Sequence, residues 1–281
     1  MCVRRHLLFG GVVTGGESTS ARDAAEGRTE PHQDTRGPAS AWPPPLPDHA
    51  VHLWQRTLRP APARVEALYT LLSTTERQRA DRLHPDRDRP AFITVRGTLR
   101  TLLGHYLAQP PASLQLGCNG NGKPELTGHT PSLCFNVTHS GQWGLYAFSR
   151  TTPLGIDLEQ IRPATPAYRL RLAHRFLAEA EYVALRQLPV EQIDAAFIAC
   201  WTRKEAYIKC HGASIARLLA RFVVNVDPAQ PARLLATAWR PADVTRCQLH
   251  DLPAPPGYRA ALALASTDRL ALCHYHWPAE E

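Results

Sequence analysis

The sequence is poor in features that usually announce a function. Its seven cysteines (Cys2, Cys118, Cys134, Cys200, Cys210, Cys247 and Cys273) form no Cys-x-x-Cys pair and leave no metal-ligand spacing to read. An odd count scattered through 281 residues implies reduced thiols and a cytoplasmic protein rather than a disulfide-stapled one. No apolar run is long enough to span a bilayer, so no membrane partner is expected. Arg4-Arg5 before Leu7-Leu8-Phe9 has the order of a signal peptide, but the apolar stretch is short and broken by glycine. The phosphate-loop spacing GxxxxGK[ST] is absent, since Pro124 follows Lys123, and no nucleophile elbow surrounds Ser140. P-loop and serine-hydrolase readings are therefore set aside.

What is present is positive charge and a few ordered motifs. The net charge of +7 favours a polyanionic partner, without choosing among nucleic acid, lipid, acidic protein or a phosphate-rich small molecule. The arginines from Arg77 to Arg100 are interleaved with Asp81, Asp86 and Asp88 and few aromatics, which argues against a nucleic-acid stripe. Residues 1–48 are rich in Gly, Ala, Ser, Pro and charge, and are expected to form a disordered extension. The first strand is expected at Val51–Trp54.

An internal repeat runs at a constant offset of 105. Leu72, Glu76, Leu83, Ala91, Phe92 and Ile93 match Leu177, Glu181, Leu188, Ala196, Phe197 and Ile198, six identities without a gap. This predicts an α/β (α+β) fold, a pseudo-dimer of two similar halves, 49–154 and 155–281. In this register Arg96 and Arg100 fall opposite Trp201 and Glu205, so one half would offer cations and the other carboxylates to a shared cleft. Further strands are expected at 133–137, 143–148, 154–158, 222–226, 258–265 and 270–275, with His139-Ser140-Gly141 as a turn.

Two acidic clusters carry the chemistry. In Gly155-Ile156-Asp157-Leu158-Glu159 strand alternation puts both carboxylates on one face, which is either a solvated edge or a pair holding a cation. In Trp201-Thr202-Arg203-Lys204-Glu205-Ala206-Tyr207-Ile208-Lys209, Glu205 and Lys209 lie one helical turn apart, as a surface pair or as part of a site. Three hard oxygen ligands beside lysines suit a Mg²⁺ ion on phosphate. Gly120-Asn121-Gly122-Lys123-Pro124 offers a backbone that can approach a ligand, and Phe135-Asn136-Val137-Thr138-His139-Ser140-Gly141 places a hydroxyl and an imidazole at a strand end, where both can donate to phosphate oxygens.

Together Gly122-Lys123-Pro124, Phe135–Gly141, Gly155–Glu159, Phe176–Glu181 and Trp201–Lys209 resemble, in order and spacing, the Sfp-type 4′-phosphopantetheinyl transferases. The resemblance spans about Leu72 to Gly212 and implies transfer of the 4′-phosphopantetheine arm of coenzyme A to a serine of an acidic apo carrier protein (acyl, peptidyl or aryl), releasing 3′,5′-ADP. It also implies coenzyme A bound between the halves, with Asp157, Glu159 and Glu205 holding Mg²⁺ on its pyrophosphate. Lys204 and Lys209 would contact that pyrophosphate, Thr138 and His139 the 3′-phosphate, and Gly122, Lys123 and Pro124 the adenine. Arg77 and Arg79 lie near the family's basic 3′-phosphate contacts. The chain departs from the family in having Thr138 where serine is frequent and Ala91 where a basic residue is frequent. Glu205 is expected to take the serine proton and Lys209 to neutralise the leaving group. A fused pseudo-dimer is expected to act as a monomer. Another metal-dependent phosphotransferase or nuclease, and an inactive binding module, are the competing readings.

Overall fold

The computed structural model describes residues 43–127, 133–214 and 218–277. Strand β1 (Ala50–Thr57) is followed by α1 (Pro62–Thr70), α2 (Thr74–Asp81) and the long α3 (Arg89–Leu107), then the short hairpin β2 (Leu116–Cys118) and β3 (Pro124–Leu126). Strands β4 (Cys134–Ser140) and β5 (Trp143–Ser149) follow. The pattern then restarts with β6 (Leu154–Gln160), α4 (Pro166–Phe176), α5 (Glu179–Arg186) and the long α6 (Ile193–Cys210). It continues with β7 (Phe222–Val224), β8 (Leu234–Thr237), the turn-length α7 (Asp243–Arg246), β9 (Gln248–Leu252), β10 (Tyr258–Leu264) and β11 (Ala271–His276).

The repeat is visible in the sheets. One has the order β1-β5-β4 and the other β6-β10-β9, so equivalent strands occupy equivalent places. The mixed α+β pseudo-dimer expected from the sequence is the fold. β11 breaks the symmetry: it comes last in the chain, yet it pairs in parallel with β1, Val51 opposite Leu272 and Trp54 opposite Tyr275, on the outer side of the first sheet. Of the expected extension, residues 1–42 lie outside the described residues. Leu46 is buried among Trp54, Leu99 and Tyr106, so the folded chain reaches further back than composition suggested.

The repeated glutamate has the same job in both copies. Glu76 closes a capping box at the start of α2, accepting from the Ser73 backbone N–H at 3.0 Å while Ser73 Oγ accepts from the Glu76 N–H. Glu181 accepts from the Ala178 N–H at 2.9 Å, although Ala178 has no hydroxyl to reciprocate. Each carboxylate then reaches the long helix of its own half. Glu76 pairs with Arg100 (2.6 Å) and Arg96 (3.2 Å), and Glu181 pairs with Lys204 (2.6 Å).

The two sheets meet through their edge strands β4 and β6. β4 lines up Asn136, Thr138 and Ser140 on one face. Asn136 Oδ1 accepts from the Ile156 N–H at 2.9 Å and Ser140 Oγ from the Gln160 N–H at 3.1 Å. Polar side chains thus meet edge amides that a strand partner would otherwise satisfy. Behind β6, α6 packs so closely that a methyl group on Gly155 would lie 2.2 Å from Ala206 O and Cys210 N. The motif glycine is required by this close approach, and the approach brings α6 side chains to the carboxylates of β6.

Candidate active site

Both carboxylates of β6 are buried, Asp157 completely, although strand alternation alone would have allowed a solvated face. They turn toward α6, where Glu205 meets them; ligand atoms of Asp157, Glu159 and Glu205 lie within 4.8 Å of one another. Lys209, one turn beyond Glu205, places Nζ 2.5 Å from Asp157 Oδ1 and 3.4 Å from Glu205 Oε2. Among the described residues Lys209 thus bridges two of the three carboxylates, and the all-oxygen, anionic donor set suits a bound cation.

Each carboxylate is held by a neighbour. Trp201 Nε1 donates to Glu205 Oε1 at 2.7 Å from one turn upstream on α6. Thr138 Oγ1 donates to Asp157 Oδ1 at 3.2 Å, and Ser140 Oγ to Glu159 Oε2 at 3.1 Å. Trp201 and Ser140 were not read as site residues from the sequence. For Ser140 the usable signal was the period-two row of Asn136, Thr138 and Ser140, a polar face opposite Phe135 and Val137.

Several expected site residues take other positions. Lys204, expected on the pyrophosphate, is turned about 100° from Glu205, its neighbour on the helix, and meets Glu181 instead. Its Nζ is fully buried, bonded to both Glu181 oxygens (2.6 and 2.7 Å) and to Phe222 O (2.5 Å). Arg100 likewise is no cleft cation: besides Glu76 it donates to Pro111 O and Leu114 O, and it is 1% exposed. Both corrections have one cause, since a capping-box glutamate buried at the start of a helix needs a cation. The expected turn at His139-Ser140-Gly141 is a two-residue hairpin turn at Gly141-Gln142, with Gly141 at φ +53° and His139 inside β4. Alternation therefore divides the expected phosphate pair: Thr138 is buried toward Asp157, and His139 is exposed.

Lys123 arrives from the β2–β3 hairpin and donates to Leu154 O (3.1 Å) and Lys209 O (3.0 Å), tying the hairpin to the start of β6 and the end of α6. Burial holds its ammonium below the usual lysine range. Asn119 and Asn121 both donate to Gly212 O, and Gly122 takes φ +87° in the turn between them and Lys123. Arg77 and Arg79 are not brought to the carboxylates. Arg77 bonds Thr70 O and packs on Tyr69, and Arg79 lies over Phe92.

Two family models match the chain: the 4′-phosphopantetheinyl transferase superfamily over residues 153–263, and 4′-phosphopantetheinyl transferase, N-terminal, over residues 56–151. The chain is 38% identical over 192 residues to 4′-phosphopantetheinyl transferase HetI of Nostoc sp., covering 67% of this chain and 80% of that protein. It is 36% identical over 154 residues to 4′-phosphopantetheinyl transferase AcpT of Salmonella typhi (54% and 70% covered). It is 25% identical over 204 residues to 4′-phosphopantetheinyl transferase Sfp of Bacillus subtilis (72% and 86% covered). The chain belongs to the 4′-phosphopantetheinyl transferase superfamily. The sequence reading of an enzyme that transfers phosphopantetheine to carrier proteins, with coenzyme A as co-substrate, is borne out. No helix among the described residues is long and apolar enough to cross a membrane.

Proposed function

We propose that the chain performs this transfer with Mg²⁺ held by Asp157, Glu159 and Glu205, onto the serine hydroxyl of an acidic apo carrier protein. The observation that carries the reading is the convergence of three buried carboxylates within 4.8 Å beside Lys209. The donor set is all oxygen and anionic, as a hard cation requires. When bound, the ion supplies stabilisation of charge on the pyrophosphate of coenzyme A.

The remaining steps belong to the chain. Glu205, oriented by the Trp201 indole, takes the serine proton directly or through water, and the alkoxide attacks the β-phosphorus of coenzyme A, releasing 3′,5′-ADP. Lys209 lies one turn away and neutralises the leaving group. Residues 49–154 supply the adenine and 3′-phosphate side, with His139, Arg77 and Arg79 on the phosphate and Gly122, Lys123 and Pro124 along the base. Residues 155–281 supply the metal and catalytic side. Thr138 acts through Asp157, to which its hydroxyl donates. The net charge of +7 favours acidic acyl, peptidyl or aryl carriers over neutral partners, and the fused halves act as a monomer.

The test is incubation with coenzyme A, Mg²⁺ and apo carriers of the three classes, read as a mass gain of one phosphopantetheine arm. Glu205→Gln is expected to abolish the gain while coenzyme A binding stays measurable. Near-normal turnover by that variant sinks the base assignment. No gain on any carrier, with nucleic acid cleaved instead, favours the nuclease reading, and coenzyme A binding with no turnover favours an inactive module.

A further inference from the structure

We propose that His211, Asp243 and Cys247 form a second metal site, built for a borderline transition ion such as Zn²⁺ and separate from the carboxylate cluster. His211 caps the C-terminus of α6, Asp243 opens α7 and Cys247 closes it. The short helix puts the last two four residues apart, on one face. No spacing in the sequence links the three, and only the fold gathers them, with their ligand atoms within 4.8 Å of one another.

The geometry separates this cluster from a catalytic triad. His211 Nε2 lies 2.9 Å from Asp243 Oδ2 and 3.8 Å from Cys247 Sγ, so both neighbours converge on the same ring nitrogen. A relay needs the nucleophile and the orienting carboxylate on opposite nitrogens of the imidazole. Convergence of nitrogen, oxygen and sulfur on one point is what a three-ligand zinc centre presents, with a fourth position left for water.

The surroundings fit the same purpose. Tyr207 OH (2.8 Å) and Arg240 Nε (3.0 Å) donate to Asp243 Oδ2, the same oxygen that His211 Nε2 meets, and hold the carboxylate in the cluster. The rings of Tyr207 and Trp239 stand edge-on to His211, with centroids 5.0 and 5.4 Å away, and fix its plane. The Arg240 side chain is 49% exposed and can turn to solvent as a cation enters. Binding releases the thiol proton to solvent and leaves the imidazole proton on Nδ1. The ion would clamp the end of α6, two residues beyond Lys209 and beside Gly212, whose carbonyl already takes Asn119 and Asn121.

The test is Co²⁺ titration of the chelator-treated full chain, read by absorbance. A thiolate-to-cobalt charge-transfer band is expected, displaced by Zn²⁺; the carboxylate cluster contains no sulfur and cannot produce it. The band is expected to persist in Asp157→Asn, to vanish in Cys247→Ser, and to need at least ~10-fold more Co²⁺ in His211→Gln. No band from the unsubstituted protein at millimolar Co²⁺, or a band of undiminished affinity in either Cys247→Ser or His211→Gln, overturns the proposal.

Discussion

Lys204 offers the sharpest separation between a structural and a substrate-binding lysine. Lys204→Met keeps the helix former and most of the volume but removes the ammonium. Glu181 would keep the Ala178 and Val224 backbone N–H groups, at 2.9 and 2.8 Å, and lose both charged bonds at 2.6 and 2.7 Å. The Phe222 carbonyl would lose its donor as well. Both members of the pair are 0% exposed, so solvent cannot replace the missing partner. Burial already raises the Glu181 carboxyl against the pull of Lys204, and removing the lysine raises it further. Breaking such a pair from one side costs about 3–5 kcal/mol, which in a domain of this size lowers Tm by about 6–20 °C. Differential scanning calorimetry measures that shift, and kinetics well below the transition are expected to give a KM for coenzyme A near that of the unsubstituted enzyme. Adding Glu181→Leu is expected to recover part of the loss, because the uncompensated charge is then gone. An unchanged Tm with a KM raised ten-fold or more would refute the reasoning and return Lys204 to the pyrophosphate.

Three further outcomes follow from the same packing. Trp201→Phe removes the indole donor to Glu205 Oε1, and a buried hydrogen bond to a charged group is worth about 1.5–3 kcal/mol, so kcat is expected to fall by ~10–100-fold with coenzyme A affinity retained; isothermal titration checks the latter. Gly155→Ala drives a methyl group to 2.2 Å from the α6 backbone and separates Glu205 and Lys209 from Asp157, so transfer activity is expected to be lost together with about 1–3 kcal/mol of stability in denaturant unfolding. His52 is buried and held down to about 4, mainly by desolvation. The folded state keeps it neutral while the unfolded chain protonates it below about 6.5, so its stability contribution is present above that pH and is lost as pH falls toward 4. Stability is expected to fall by up to about 3 kcal/mol over this window from His52 alone, and His52→Gln is expected to flatten the Tm–pH curve there; parallel curves for the two proteins would count against it.

Much of the architecture was readable because it repeats. Six identities at one offset encode two copies of a helix start and a long helix, and the copies rebuild the same strand order in two sheets. The carboxylates Asp157, Glu159 and Glu205 were readable as residues because alternation and helical spacing restrict which face each can take. The orientation of the cations was less legible. Lys204 and Arg100 sit beside or opposite Glu205 in the sequence register, but a one-residue step on a helix turns a side chain by about 100°, and each found a buried glutamate instead. β11 was readable as a strand but not as a neighbour of β1, since parallel pairing across the length of the chain leaves no local mark.

The division between the two levels follows from the range of the interactions. Periodicity, caps and motif order are local, and by themselves they determined the two-half fold, the acidic clusters and the family. Which side chains meet is a matter of long-range packing. The close approach of α6 at Gly155 makes Asp157, Glu159 and Glu205 one cluster, and the meeting of edge strands β4 and β6 supplies their hydroxyl partners. The docking of α7 beside the end of α6 makes three scattered residues, His211, Asp243 and Cys247, into neighbours. Burial then separates the lysine that holds the fold, Lys204, from the lysine that faces the site, Lys209.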